Sequence, residues 1–295
     1  MAKKLRTRKH AVVLNRSRSG DIGITIGLLI IGAVMFFPLF YSVMNAFKPL
    51  EEYFYFPPII IPHNPTTGNF TYLFQLMSTS WVPFSRYIFN TVFITVVGVA
   101  GNMVLSSMAG YALSKIPFPG HKVIFQFIQK SLMFSATVGS IITFMVMTLL
   151  GWIDTYFVII FPAWTSSLNL YLMKQFMDGN IKDEVLESAR LDGSSEFRTF
   201  LYIVMPMVKP AWLTCIIYSF QGLWATGSSP YIYSEQLKTI NYAISQILSG
   251  TGAVSILRQG ASAASGLIML IVPVIVFIVS QSNIIETMGS SGMKD

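Results

Sequence analysis

The side chains of this chain that could do chemistry are concentrated in one stretch, Asn180 to Phe200. There Asp183, Glu184, Glu187, Asp192 and Glu196 are interspersed with Lys182, Arg190 and Arg198. Carboxylates and basic groups at this spacing are those of a solvated loop with ordinary helix caps and ion pairs, and they do not make a catalytic centre. Nothing elsewhere completes one. The sequence has no His-Glu-x-x-His, no Gly-x-Ser-x-Gly and no Gly-x-x-x-x-Gly-Lys-Ser/Thr phosphate loop. His10, His63 and His121 lie far apart and outside the apolar runs, and read as solvated loop residues. Cys215 is the one cysteine, so no disulfide or thiolate metal site can be built, and it reads as a small apolar core residue. No enzyme activity, metal or cofactor is expected of this chain.

The local signals in the stretch write helix, turn, helix. Asn180 is placed to cap a first helix whose opening turn holds Asp183 and Glu184, where carboxylates complement the positive helix end. Gly193 supplies a left-handed stop, and Ser194 or Ser195 can cap a second helix. Phe197, Phe200, Leu201 and Val204 follow at i, i+3, i+4 and i+7 and give that helix one apolar face. Pro206 and Pro210 then end the element.

The elements that must carry this stretch are apolar. Of 295 residues 53% are hydrophobic and 11% charged, where a soluble domain carries about a quarter charged. A membrane-spanning helix needs about 20 mostly apolar residues. Six segments qualify, at about 22–46, 88–113, 131–150, 155–174, 209–229 and 262–283, giving an all-α membrane protein with the polar stretch between the fourth and fifth helices. The first begins after a basic head of Lys3, Lys4, Arg6, Arg8, Lys9, Arg16 and Arg18 and is too long for a cleaved signal, so a retained helix is expected. The basic head makes membrane orientation, and not nucleic-acid binding, the reading of the high pI.

Positive charge marks the cytoplasmic side. With the head inside, the even loops add Lys115, Lys122, Lys174, Lys182, Arg190, Arg198 and Lys209, while the odd loops hold Lys48, Arg86, Lys238 and Arg258. Fourteen inside against four outside puts both termini and the polar stretch in the cytoplasm. Lys130, at the start of the third segment, reads as a snorkelling side chain. The outer segment 48–87, with six prolines and many aromatics, suggests structured coil with an interfacial aromatic belt or a partner surface.

The run Glu187-Ser188-Ala189-Arg190-Leu191-Asp192-Gly193, followed by Ile203 and Met205-Pro206, resembles the EAA loop of binding-protein-dependent ABC importer permeases. That pattern is Glu-Ala-Ala, three residues, Gly, then an Ile and a Leu-Pro; Ser188 and Met205 depart from it with residues of similar size. The resemblance extends over nearly all the chain and is closest to carbohydrate permeases of the maltose-transporter type. Arg86-Tyr87-Ile88-Phe89-Asn90-Thr91, Gly110-Tyr111-Ala112-Leu113-Ser114-Lys115 with Phe118-Pro119-Gly120, and Ser280-Gln281 look like that subgroup. It implies a basic cytoplasmic segment 1–21, a permease domain 22–283 with its coupling loop at about 180–206, and a short tail 284–295. It implies that the loop sits in a groove of a separate ATPase subunit, with Glu187 pairing a basic residue there, Ala189 packing closely and Gly193 making the turn. Ser188, Asp192, Ile203 and Pro206 belong to the same site. The partners implied are a second, homologous permease, usually a different chain, two ATP-binding cassette ATPases that carry ATP and Mg2+, and an extracytoplasmic solute-binding protein, all at a bacterial-type inner membrane.

An ion-coupled carrier or channel is the competing class. Such proteins place ionisable groups within the bilayer, and no carboxylate stands near the middle of any of the six segments. Asn102, Asn169, Gln221 and Trp224 are the polar or amphipathic groups within the segments that could line a solute route, Trp224 by stacking on a sugar ring. Interhelical hydrogen bonding would account for them equally.

Overall fold

The computed structural model describes residues 18–78, 81–134, 136–227, 229–249 and 258–291. The basic head up to Arg16, with His10, and the end of the tail from Gly292 lie outside the described residues. Among the described residues the regular structure is helical throughout, with no strand.

Helix α1 (Arg18–Ala46) is apolar on every side, which suits a helix surrounded by lipid. It contains Pro38, whose carbonyl accepts a 2.8 Å bond from Ser42 Oγ. After a 3₁₀ turn (Leu50–Phe54) and the short α2 (Gly68–Ser78) comes α3 (Phe84–Lys115), the hub of the fold. At 32 residues it is about 48 Å long, against about 30 Å of hydrocarbon. Around it pack α6 (Phe157–Trp164), α7 (Ser167–Asn180) and α11 (Lys209–Trp224). The last long helix, Gln259–Ser291, here α13, packs on α1, α2 and α11.

Three helices are each long and apolar enough to cross a bilayer: Gly20–Ala46, Phe84–Lys115 and Gln259–Ser280. They match the first, second and sixth expected segments. The other three differ from the uniform spans that hydropathy suggests. The third is confined to α5 (Ala136–Leu149), and Ser131 instead closes α4 (His121–Ser131), an amphipathic helix laid antiparallel to α7. Phe125 of α4 stacks on Tyr171, and Ser131 Oγ donates to Ser167 Oγ. The fourth is divided between α6 and α7. Pro162 weakens the end of α6, and the Ser166 hydroxyl, accepting from Asn169 N, starts a new helix. The fifth ends at Trp224 and turns 82° from the helical segment before it. Hydropathy measures the apolar run and is blind to such breaks.

The aromatic and proline-rich connection after α1 is more ordered than coil. Lys48 is buried with Nζ donating to Ile59 O, Glu52 accepts from His63 N and Asn64 N, and Asn69 ties α2 to Ala46 O and Lys48 O. Across the same end of the molecule, Asn90 of α3 donates to Gln236 O and Lys238 O, beside α12 (Ile240–Leu248). The polar stretch lies at the opposite end of α3.

Candidate functional site

At the Lys115 end the chain leaves α7 and turns into α8 (Asp183–Leu191). Asn180 is not its cap, as the sequence suggested: it is the last residue of α7, and its amide donates back to Phe176 O. The cap position is Lys182, with no side-chain bond, and the first-turn carboxylate is engaged elsewhere. Asp183 accepts a 2.8 Å bond from Lys115 Nζ, which also donates to Ile181 O at 2.6 Å. Lys115, almost fully buried, thus satisfies a terminal carbonyl of α7 and anchors the start of α8 in one step. The bond from Lys115, and then its charge, hold the Asp183 carboxyl below the usual carboxylate range.

Gly193 has φ +78, the left-handed turn expected of it, and its N–H and that of Ser194 close onto Arg190 O and Ala189 O. Ser195 is the cap of the second helix, its hydroxyl accepting from Arg198 N. That helix opens as α9 (Glu196–Thr199), passes through a π turn (Phe200–Val204) and closes as α10 (Met205–Met207). The π turn alters the apolar face. With Met205 N bonding to Phe200 O, five residues back, residues four apart align, so Phe200, Val204 and Val208 are buried in register while Phe197 and Leu201 are exposed. Phe200, Val204 and Val208 enter one core with Tyr111, Met173, Met177, Ile181, Leu186 and Ala211.

Two further polar contacts lock the turn. Arg190 Nε pairs with Glu196 Oε1 at 2.7 Å across Gly193, and Tyr111 of α3 donates to Glu196 Oε2 at 2.8 Å. The bond from Arg190, joined by that from Tyr111, pulls the Glu196 carboxyl below its usual range, and the Arg190 guanidinium is held more firmly protonated by the same pair. Tyr111 and Lys115 lie one turn apart on α3, so a single helix face grips both halves of the segment. Sequence reasoning missed these clamps; the i, i+4 spacing of Tyr111 and Lys115 is the signal that could have found them.

The tip presents Glu187, Ser188, Asp192 and Leu191, the last 89% exposed. Glu187 has no ion-pair partner among the described residues. Ala189 points inward and is buried, Ile203 is half-buried, and Pro206 is exposed in the last short helix. The exposed apolar residues Leu191, Phe197 and Tyr202 extend the surface beyond the residues read from the sequence.

Of the four residues weighed for a solute route, two meet. Asn102 and Asn169 are both buried and form a node joining α3, α7 and α11. Asn169 Nδ2 lies 2.6 Å from Asn102 Oδ1 and from Ser219 Oγ, and Asn102 Nδ2 donates to Ala163 O at 2.7 Å. Gln221 is exposed, and Trp224 is half-buried with Nε1 donating to Met269 O of α13.

These observations define an all-helical membrane protein with a rigid, polar helix-turn-helix fixed to one end of its central helix. Residues 102–289 match the binding-protein-dependent transport system inner membrane component family, and the chain belongs to it. It is 27% identical over 277 residues to the arabinooligosaccharides transport system permease protein AraQ of Halalkalibacterium halodurans, covering 92% of this chain and 95% of that one. It is 30% identical over 206 residues to the polygalacturonan/rhamnogalacturonan transport system permease protein YtcP of Bacillus subtilis, covering 70% and 69%. Its fold matches a chain of a bacterial ABC transporter involved in the import of the acidic polysaccharide alginate, with a TM-score of 0.75 at 22% identity over 90% of this chain and 98% of that one. The family is one of transport permease subunits, not of catalytic chains, and it works in the membrane with a binding protein.

Proposed function

We propose that this chain forms half of the translocation pathway of an ATP-driven importer of sugars or oligosaccharides and transmits ATPase closure through residues 183–206. The supporting observation is the clamped helix-turn-helix. A lever moves a membrane helix only if it is stiff and fixed to that helix, and Lys115 and Tyr111 fix it at both halves. In this reading Glu187 meets a basic residue of the ATPase, Ser188, Leu191 and Asp192 fill its groove, Gly193 and Pro206 shape the segment, and Ala189 and Ile203 hold it to its own core. ATP and Mg2+ sit on that partner, since this chain carries no phosphate loop. The assembly contains two such ATPases, a second and different permease, and an extracytoplasmic binding protein. Six spans, with α4–α5 and α6–α7 as broken ones, put both termini and the 183–206 segment in the cytoplasm of a bacterial-type cell, the basic head and tail lying on that side. The sugar assignment rests on the solutes named for the relatives above.

The test is co-purification with the ATPase, together with uptake. Glu187→Ala and Gly193→Pro are expected to abolish uptake and deplete the ATPase from the purified complex while the chain still inserts in the membrane. Undiminished ATPase recovery with normal uptake overturns the proposal. Uptake by this chain alone in vesicles, driven by an ion gradient without ATP, would establish the carrier reading instead.

A further inference from the structure

The motif that opens α3 has no role in the lever, yet it builds a site at the other end of the same helix. Arg86 stands in the first turn of α3, in the headgroup layer for a helix of this length. Its Nε donates to Gln236 O at 3.1 Å, one terminal nitrogen donates to Tyr156 Oη at 3.2 Å, and the guanidinium lies over the Phe89 ring. No carboxylate pairs with it among the described residues. An arginine held in place with no acid has a donor edge left for an anion. It borders a recess of about 590 Å³ that includes Ser85 and Trp81, the latter 85% exposed.

Phe89, Val92 and Val96 form an exposed stripe down α3 from this recess. Val92 and Val96 then line a second cavity of about 590 Å³, walled also by Ile88, Phe220, Ile268 and Val272 and apolar over its accessible surface. Thr91, which also lines it, turns its hydroxyl to Tyr87 O and to Ile240 N. A cation over an apolar groove, joined by one stripe and set with an exposed tryptophan, matches a phosphate with an acyl chain beneath it.

We propose that the Arg86 end of the protein holds one phospholipid, its phosphate on Arg86 and one acyl chain along Val92 and Val96. The bound lipid would fix the first turn of α3 and, through Gln236, the segment leading to α12.

Native mass spectrometry of the full-length chain in neutral detergent tests this, with phosphatidylglycerol as the probe. One lipid per chain is expected to be retained. Arg86→Gln is expected to weaken retention about fivefold, the order of effect of one cation at a headgroup, and Arg86→Lys to keep most of it. Because Arg86→Gln also removes contacts to Gln236 and Tyr156, Val96→Trp, at a 60% exposed position, provides an independent arm that fills the groove and lowers retention. Diacylglycerol with the same chains is expected to bind more weakly, and glycerol phosphate not to compete. Equal retention of diacylglycerol, or no effect of either variant, overturns the proposal. Displacement by glycerol phosphate assigns the site to a free anion and overturns it too, as does a lipid-free chain in which a second copy covers Val96.

Discussion

Tyr111 and Lys115 each tie α3 to one half of the 183–206 segment, and each does so through a carboxylate whose charge matters. Tyr111→Phe keeps the ring, which packs on Phe200 at 5.5 Å between centroids, and deletes only the bond to Glu196. The expected loss is about 1.5 kcal/mol of local stability, the low end for a hydrogen bond to a charged group because Glu196 is half-exposed, read as faster hydrogen exchange over residues 183–200 with global unfolding little changed. Lys115→Ala removes the anchor at the other half and leaves Ile181 O without its donor, so exchange should rise further there. The pH dependence has a definite sign. Asp183 and Glu196 bind protons less tightly when folded than when unfolded, so their contribution is present above the ordinary values of 3.8 and 4.5 and is lost as pH falls through the lower folded values. Both groups are largely exposed, which keeps the effect small. Protection of residues 183–200 should be flat from neutral pH down to that range and fall below it; a decline beginning near pH 7 would implicate other groups.

Helix α3 passes close to α6 at Gly101. A methyl group on Gly101 would run into Trp164 Nε1, on an indole held by its bond to Val97 O, whereas on Gly98 it would meet only the movable end of Leu223. Gly101→Ala should therefore cost about 1–3 kcal/mol and Gly98→Ala less, with Trp164→Ala restoring part of the loss in the double variant, measured by thermal unfolding in detergent. The node beside it separates packing from transport. Asn169→Ala is expected to lower stability by about 1 kcal/mol, the scale of interhelical hydrogen bonds in membranes, and to leave the solute concentration for half-maximal uptake unchanged; a raised one would place Asn169 in the solute route. How far the elements were legible follows from the same physics. The first, second and sixth spans, and the turn at Gly193, are written by uninterrupted hydropathy and by one glycine. The break at Val208 was legible from Pro206 and Pro210, which end one helix and admit the next; the break at Ser166 was not, because it depends on a capping hydroxyl inside an apolar run. The exposure of Leu201 was hidden for a related reason: a π turn changes the helical period without a mark in the sequence.

For the whole molecule, the two ends of α3 are distinct surfaces. One carries the compact, charged segment with Leu191 at its tip; the other carries the connection after α1, where Phe56 is 95% exposed, and the loop around Gln236. Because α3 joins them as one continuous helix, they belong to opposite sides of the membrane, and this can be checked without a substrate. Cys215 is fully buried, so the native thiol is a quiet background for single introduced cysteines. A membrane-impermeant maleimide should label Phe56→Cys in intact cells and Leu191→Cys only in inverted vesicles. Labelling of both from the same side would break the link between α3 and the bilayer on which the lever depends. Labelling of Leu191→Cys in inverted vesicles should also fall sharply when the ATPase is bound, and fall less with Glu187→Ala. Sidedness and occupancy are then read at the same position, so an inverted orientation and a missing partner give different results.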